Sequence, residues 1–189
     1  MEEKLEISVQ ITPNPNTLRF GVNRNLIEKG SINFPTKELA EHSRLAKALF
    51  EIKNVSGVMI GLHFISVTKI EHSEWTELAA PVTDAIRAIL ESEGPLFDQD
   101  ALANLQPTDS SADENVIEKR IRQILDEEIR PAVAMDGGDV TFYSFHEGIL
   151  TLNLQGACSS CPSAVLTLKM GIENRLREEI PEIKEVVQV

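Results

Sequence analysis

The chain has two thiols, Cys158 and Cys161, and both lie in Gly156-Ala157-Cys158-Ser159-Ser160-Cys161-Pro162. A C-x-x-C pair suits half of a metal site, a redox dithiol or a reducible crosslink. With no further cysteine in the 189 residues, a four-thiolate site is completed only by a second copy of the chain. Pro162 marks a helix start, because its missing N–H is not needed there. Cys161 then falls at or beside the N-cap, and Cys158 in the last turn of the loop. There, free N–H groups and the helix dipole favour thiolates, the form that ligates zinc or iron. Small Ala157, Ser159 and Ser160 leave room for an ion or cluster corner. Gly156 lets the backbone approach, so that N–H groups can donate to cluster sulfides.

Three other chemistries compete. A thioredoxin-type dithiol also sits at a helix N-terminus, but such motifs carry their proline elsewhere and follow a buried parallel strand. A zinc ion shared by two chains satisfies the ligand type equally well. Two inert buried cysteines fit poorly with polar Ser159-Ser160 and with the turn position. The residues favour an iron–sulfur site bridging two chains, with the zinc dimer and the thiol–disulfide oxidoreductase left as alternatives.

The elements that must position the thiols follow from periodicity. Val116, Ile117, Ile121, Ile124, Leu125 and Ile129 form one helical face, preceded by a capping box at Ser111 and Glu114. Pro131 and then Gly137-Gly138 are expected to end or kink that helix. Strands Val140 to Phe145 and Ile149 to Leu154 join at His146-Glu147-Gly148. In the second, Leu150, Leu152 and Leu154 alternate with Thr151 and Asn153. Val165, Leu168, Ile172, Leu176 and Ile180 then repeat at helical spacing, and Ile183 to Val189 alternates as a last strand. The order is helix, hairpin, helix, strand.

The first half also mixes helix and strand. Glu6 to Ile11 and Thr17 to Val22 read as strands around the Pro-stiffened loop Thr12-Pro13-Asn14-Pro15-Asn16. Leu39, Leu45, Leu49 and Ile52 fit one helical stripe. Two β-rich runs flank Gly61-Leu62-His63, and Pro81 reads as near the start of a helix that stops at Gly94-Pro95. Pro, Ser, Asp and Gln dominate between Gly94 and Glu114, the composition of a linker, whose Leu96 to Leu105 portion suits a short docking helix. The fold class is therefore α+β: two small mixed domains, 1–94 and 114–189, joined by a flexible linker over 95–113.

Other chemistry is thinly represented. Asp136-Gly137-Gly138-Asp139 reads as a turn packing beside the cysteine loop, since no Gly-Lys-Ser/Thr follows the glycines. His42, His63, His72 and His146 show no paired metal-ligand spacing. No serine has a nucleophile-elbow context, and acidic runs such as Asp126-Glu127-Glu128 and Glu178-Glu179 read as solvated faces. The Thr12 to Phe20 loop reads either as a stiff turn or as a recognition surface. A net charge of −12 disfavours nucleic acid and anionic membrane surfaces. No apolar run approaches the ~20 residues of a membrane span. The first residues, Met1-Glu2-Glu3-Lys4-Leu5-Glu6, lack an apolar signal core and the Arg/Ser-rich character of a transit peptide. One close cysteine pair is no disulfide framework. The expectation is a cytoplasmic protein.

Three blocks carry a resemblance. Met135-Asp136-Gly137-Gly138-Asp139-Val140, Leu154 to Pro162, and Thr167-Leu168-Lys169-Met170-Gly171-Ile172-Glu173 occur in the order found in the C-terminal domain of NifU. Thr12 to Phe20 is similar to the Nfu N-terminal domain, so the chain resembles the Nfu family over nearly its whole length. That resemblance implies an iron–sulfur cluster carrier, not an enzyme, holding a 4Fe–4S cluster between two protomers of a homodimer. It implies Cys158 and Cys161 as the ligands. Its implied partners are an upstream cluster scaffold and apo iron–sulfur client proteins. The chain lacks the extra cysteines of a NifU-type scaffold or ferredoxin-like domain, and so looks like a stand-alone carrier.

Overall fold

The computed structural model describes residues 4–98, 116–159 and 162–189, with side chains from residue 167 onward in the last stretch. The chain divides into two compact units, Met1–Gln106 and Pro107–Val189, and both mix helix with sheet as expected.

In the first unit, β1 (Ile7–Ile11), β2 (Thr17–Val22), β3 (Ser31–Phe34), β4 (Val55–Gly61) and β5 (Phe64–Lys69) form an antiparallel sheet in the order β1-β2-β5-β4-β3. β3 escapes sequence reading because four residues are too few to reveal alternation. Buried Phe20, Ile32, Ile65 and Val67 join Leu45 and Leu49 of α1 (Arg44–Phe50) and Val82 and Ile86 of α2 (Trp75–Glu91) in one core.

Two helix boundaries differ from expectation. The stripe from Leu39 to Ile52 is interrupted: a 3-10 turn covers Leu39–His42, and Ser43 adopts an extended conformation before α1 begins. The buried Ser43 hydroxyl accepts the Ala46 N–H at 3.1 Å, so it caps α1. Ser43→Ala should cost about 1 kcal/mol, the ordinary worth of such a cap, measured as a shifted urea midpoint. The second boundary is Pro81, which lies inside α2 and not near its start. Leu78, Val82, Ile86 and Leu90 form one buried stripe on both sides of it. Pro81 and Glu77 both face solvent, so water can serve the Glu77 carbonyl that Pro81 cannot bond.

The start of the expected joint packs on the first unit. Phe97 is buried and bridges Ser43, and the Arg44 and Asp98 amides donate to the carbonyls of Leu96 and His42, both at 3.0 Å. The rest of the joint and the Ser111–Glu114 capping box lie outside the described residues.

The second unit runs α3 (Val116–Ile124), a π turn (Leu125–Ile129), α4 (Arg130–Met135), β6 (Gly138–His146), β7 (Ile149–Gly156), α5 (Pro162–Glu179) and β8 (Glu185–Gln188). This is the expected helix, hairpin, helix, strand. β7 is central, antiparallel to β6 and parallel to β8. Ile121, Ile124, Leu125, Ile129 and Val133 pack with Val140, Leu150, Leu152 and Leu154 of the sheet and with Ile172 and Leu176 of α5.

Pro131 neither ends nor halts the helix, which continues to Met135. Its ring would strike the carbonyl four residues earlier in a regular α turn. The wide turn just before it relieves that clash, with the Arg130 N–H bonded to the Leu125 carbonyl five residues back. The β6–β7 hairpin turns on Glu147 (φ 52°) and Gly148 (φ 89°), both left-handed as a two-residue connection requires. The Gly148 carbonyl then accepts the Lys184 N–H at 2.7 Å and guides the chain into β8.

Candidate functional site

Both ends of the β6–β7 ladder meet at the cysteine loop. Gly138 opens β6 and pairs with Gly156, the last residue of β7. Gly137 (φ 76°) and Gly156 (φ 63°) adopt left-handed conformations that disfavour a side chain. The Gly137 carbonyl accepts the Ala157 N–H at 3.1 Å, tying the loop to the segment beneath it. The Ser159 amide and hydroxyl both donate to the Gly156 carbonyl, at 3.2 and 2.9 Å, and close the turn.

Cys158 rests directly on Gly138. A Cβ at Gly138 would stand 2.4 Å from the Cys158 Sγ and 3.0 Å from its Cβ, so only glycine permits this approach. The thiol is 6% exposed and belongs to the apolar core of the unit. Burial pushes its pKa up to about 11, and the carboxylates of Asp136 and Asp139 add to the rise. The expectation of a thiolate is corrected here: Cys158 precedes α5, and desolvation with two nearby negative charges outweighs the helix dipole. A bound metal reverses that balance by supplying the positive charge a thiolate needs. Cys161 lies outside the described residues.

The Asp136 to Asp139 segment packs against the cysteine loop, as its sequence suggested. Asp139 is buried, and the Arg130 guanidinium grips it with two parallel bonds: Nε to Oδ1 and Nη2 to Oδ2, each 2.8 Å. Oδ1 also accepts the Val140 N–H at 2.8 Å, and Arg130 Nη1 reaches Asp126 at 2.7 Å. Such forked, charge-assisted pairs fix orientation as well as position. Sequence reading did not identify Arg130, and it took the Asp126-Glu127-Glu128 run for a solvated face. The run does face solvent, but Asp126 pairs with Arg130 and Glu128 with Arg175. The available signal was a basic residue at the Pro131 irregularity.

The Thr12 to Phe20 loop is bound internally. The Thr12 hydroxyl bonds the Asn14 and Thr17 carbonyls at 2.9 Å, and the Asn14 carboxamide accepts the Asn16 N–H at 2.9 Å. Trp75 Nε1 donates to the Pro15 carbonyl at 3.0 Å, and buried Lys69 donates to Asn16 Oδ1 at 2.9 Å. This geometry supports the stiff-turn reading. His42 stands 3.6 Å from Asp98, and His63 Nδ1 faces the Arg24 carbonyl at 3.4 Å. Among the described residues, no group of three or more His, Cys, Asp or Glu is arranged to hold a metal ion.

Sequence comparison covers both units. A NifU-like domain matches residues 121–187, and the N-terminal domain of scaffold protein Nfu/NifU matches residues 7–93. The human protein "NFU1 iron-sulfur cluster scaffold homolog, mitochondrial" is 41% identical over 184 residues, covering 97% of this chain and 71% of its own length. The Drosophila erecta protein of the same name is 39% identical over 184 residues, and this chain spans 64% of its length. A solved NifU-like protein from Saccharomyces cerevisiae aligns with 52% of this chain and 91% of its own at 23% identity, with a TM-score of 0.44. The relatives' names include the word mitochondrial, which overturns the expectation of a cytoplasmic protein. That expectation rested on cysteine usage, and any reducing compartment keeps such a pair as thiols. The chain, with an Nfu-type amino-terminal unit followed by a NifU-like one, belongs to the Nfu family.

Proposed function

We propose that the chain binds a 4Fe–4S cluster between two protomers through Cys158 and Cys161, and delivers it to apo iron–sulfur proteins. Its family is one of iron–sulfur cluster scaffolds, not enzymes, so the cluster is cargo. The observation that carries the reading is Cys158 seated on Gly138, three positions before the second of the two thiols in the sequence. Two protomers bring four thiolates, the usual ligand count of such a cluster. A cluster divided between two chains is released when they part, which suits transfer. The domain limits proposed are 1–94, 95–113 and 114–189, with the first as a partner-recognition module. The relatives' names support a mitochondrial location.

Anaerobic reconstitution with ferrous iron and sulfide tests this. The expected product has visible charge-transfer absorption, about four iron and four sulfide per two chains, and dimeric native mass. Zinc in place of iron in anaerobically purified protein would point to a structural zinc dimer. Disulfide reduction without iron uptake would point to an oxidoreductase.

A further inference from the structure

The π turn reaches two elements through forked ion pairs: β6 next to the cysteine loop, and the later turns of α5. On one side, Arg130 leaves the end of the turn and grips buried Asp139 at 2.8 Å through each of two nitrogens. Asp139 directly follows Gly138, the residue on which Cys158 Sγ rests. On the other side, Glu128 within the turn accepts Arg175 Nε and Nη2, both at 2.8 Å. Arg175 lies on α5, the helix that begins directly after Cys161. Arg175 also reaches Glu179 at 3.3 Å, and Glu179 in turn meets Arg120 of α3 at 2.7 Å.

The turn's geometry makes these pairs specific. A π turn carries one residue more than an α turn would, and each residue rotates the following side chains by about 100° around the axis. Removing that extra residue would swing Arg130 away from Asp139 while Glu128 kept its place. Two anchors aimed at different elements therefore depend on one irregularity. Arg130 is mostly buried, whereas the Arg175–Glu128 pair is more exposed. The Arg130 fork is thus the stronger anchor, because exposed pairs are weakened by solvent and salt.

We propose that Arg130 is a positioning residue for the cluster site. Acting through Asp139, it holds the Gly137–Gly138 floor against Cys158, and the Glu128–Arg175 pair steadies α5 from the other side. Arg130 touches no thiol itself. Its effect passes through two backbone links: Asp139 to Gly138, and the Gly137 carbonyl to the Ala157 N–H at 3.1 Å. The claim about the loaded site rests on the proposed cluster binding, but the claim about the floor does not.

The test compares R130Q, R130K and the wild-type full chain, with I121V as a variant of the same apolar core that leaves the Arg130–Asp139 pair intact. Thermal melts first establish that each variant is folded. Hydrogen exchange of the Ala157 amide in the apo-protein is the first readout. R130Q should exchange at least about tenfold faster than wild type, R130K should fall between, and I121V should match wild type. The second readout is the cluster's visible circular dichroism and its half-life on dilution after reconstitution. R130Q should change the spectrum and shorten the half-life about tenfold, with partial rescue in R130K, which keeps the charge but loses the fork. Wild-type exchange at Ala157 in R130Q, or equal acceleration in I121V, would overturn the proposal. If wild type takes up no cluster, the carrier reading fails, and the exchange data still decide whether Arg130 holds the floor.

Discussion

On the proposed carrier reading, Cys158→Ala should reduce cluster uptake from about four iron per pair of chains to background and abolish the cluster-driven dimer. The expectation follows from ligand count. Each protomer has two thiols, so the variant pair offers two of the four thiolates, and its two half-sites each hold the metal by a single bond. Cys161→Ala should behave alike. The fold itself should survive, because replacing the buried thiol by a methyl group removes about one methylene's worth of burial, roughly 1 kcal/mol. Anaerobic iron and sulfide assays with native mass spectrometry read the result. Four iron per dimer in either variant would remove that cysteine from the ligand set.

Gly138→Ala should damage the same site without touching a ligand. The added methyl would stand 2.4 Å from Cys158 Sγ and 3.0 Å from the Gln155 carbonyl, so one of them must move. Gln155 is held in the β6–β7 ladder opposite Asp139, and Asp139 is held by Arg130. The loop therefore yields and carries Cys158 with it. Overpacking of this kind costs about 1–3 kcal/mol, visible as a lower urea midpoint in the apo-protein. Cluster uptake should fall at least about tenfold, since ligand bonds tolerate little displacement (about 0.2 Å). Gly171→Ala is the contrast: its added methyl meets nothing within 4 Å, so cluster uptake should stay near wild type, and the urea midpoint should rise slightly because alanine favours the helix over glycine.

How far the residues alone reached depends on how local each signal was. The helix, hairpin, helix, strand order of the second unit was readable because Leu150, Leu152 and Leu154 alternate and because Gly156 and Pro162 punctuate the loop. The packing of Gly137-Gly138 beside Cys158 was readable because two carboxylates around a glycine pair suit a structural turn. Pro81 misled because proline is common in a first helical turn, whereas its exposed position inside α2 depends on which face the folded unit buries. The break at Ser43 depends on Phe97, more than 50 residues later, pairing with that backbone. The Arg130–Asp139 fork links a helix to a strand across the π turn, and no hydrophobic period reports it. The state of Cys158 was misjudged because helix position is a local signal, whereas burial and the charges of Asp136 and Asp139 arise only in the assembled core.

The core beneath the cysteine loop has a consequence for repeated use. Ile121, Ile124, Leu150 and Leu176 are almost wholly excluded from water by protein alone. A zinc finger depends on its metal to fold and collapses when stripped. Here the apolar layer is built from protein side chains, and Cys158 is one of its members. On the proposed carrier reading, these side chains stay buried by one another, so the release of a cluster should leave this layer in place.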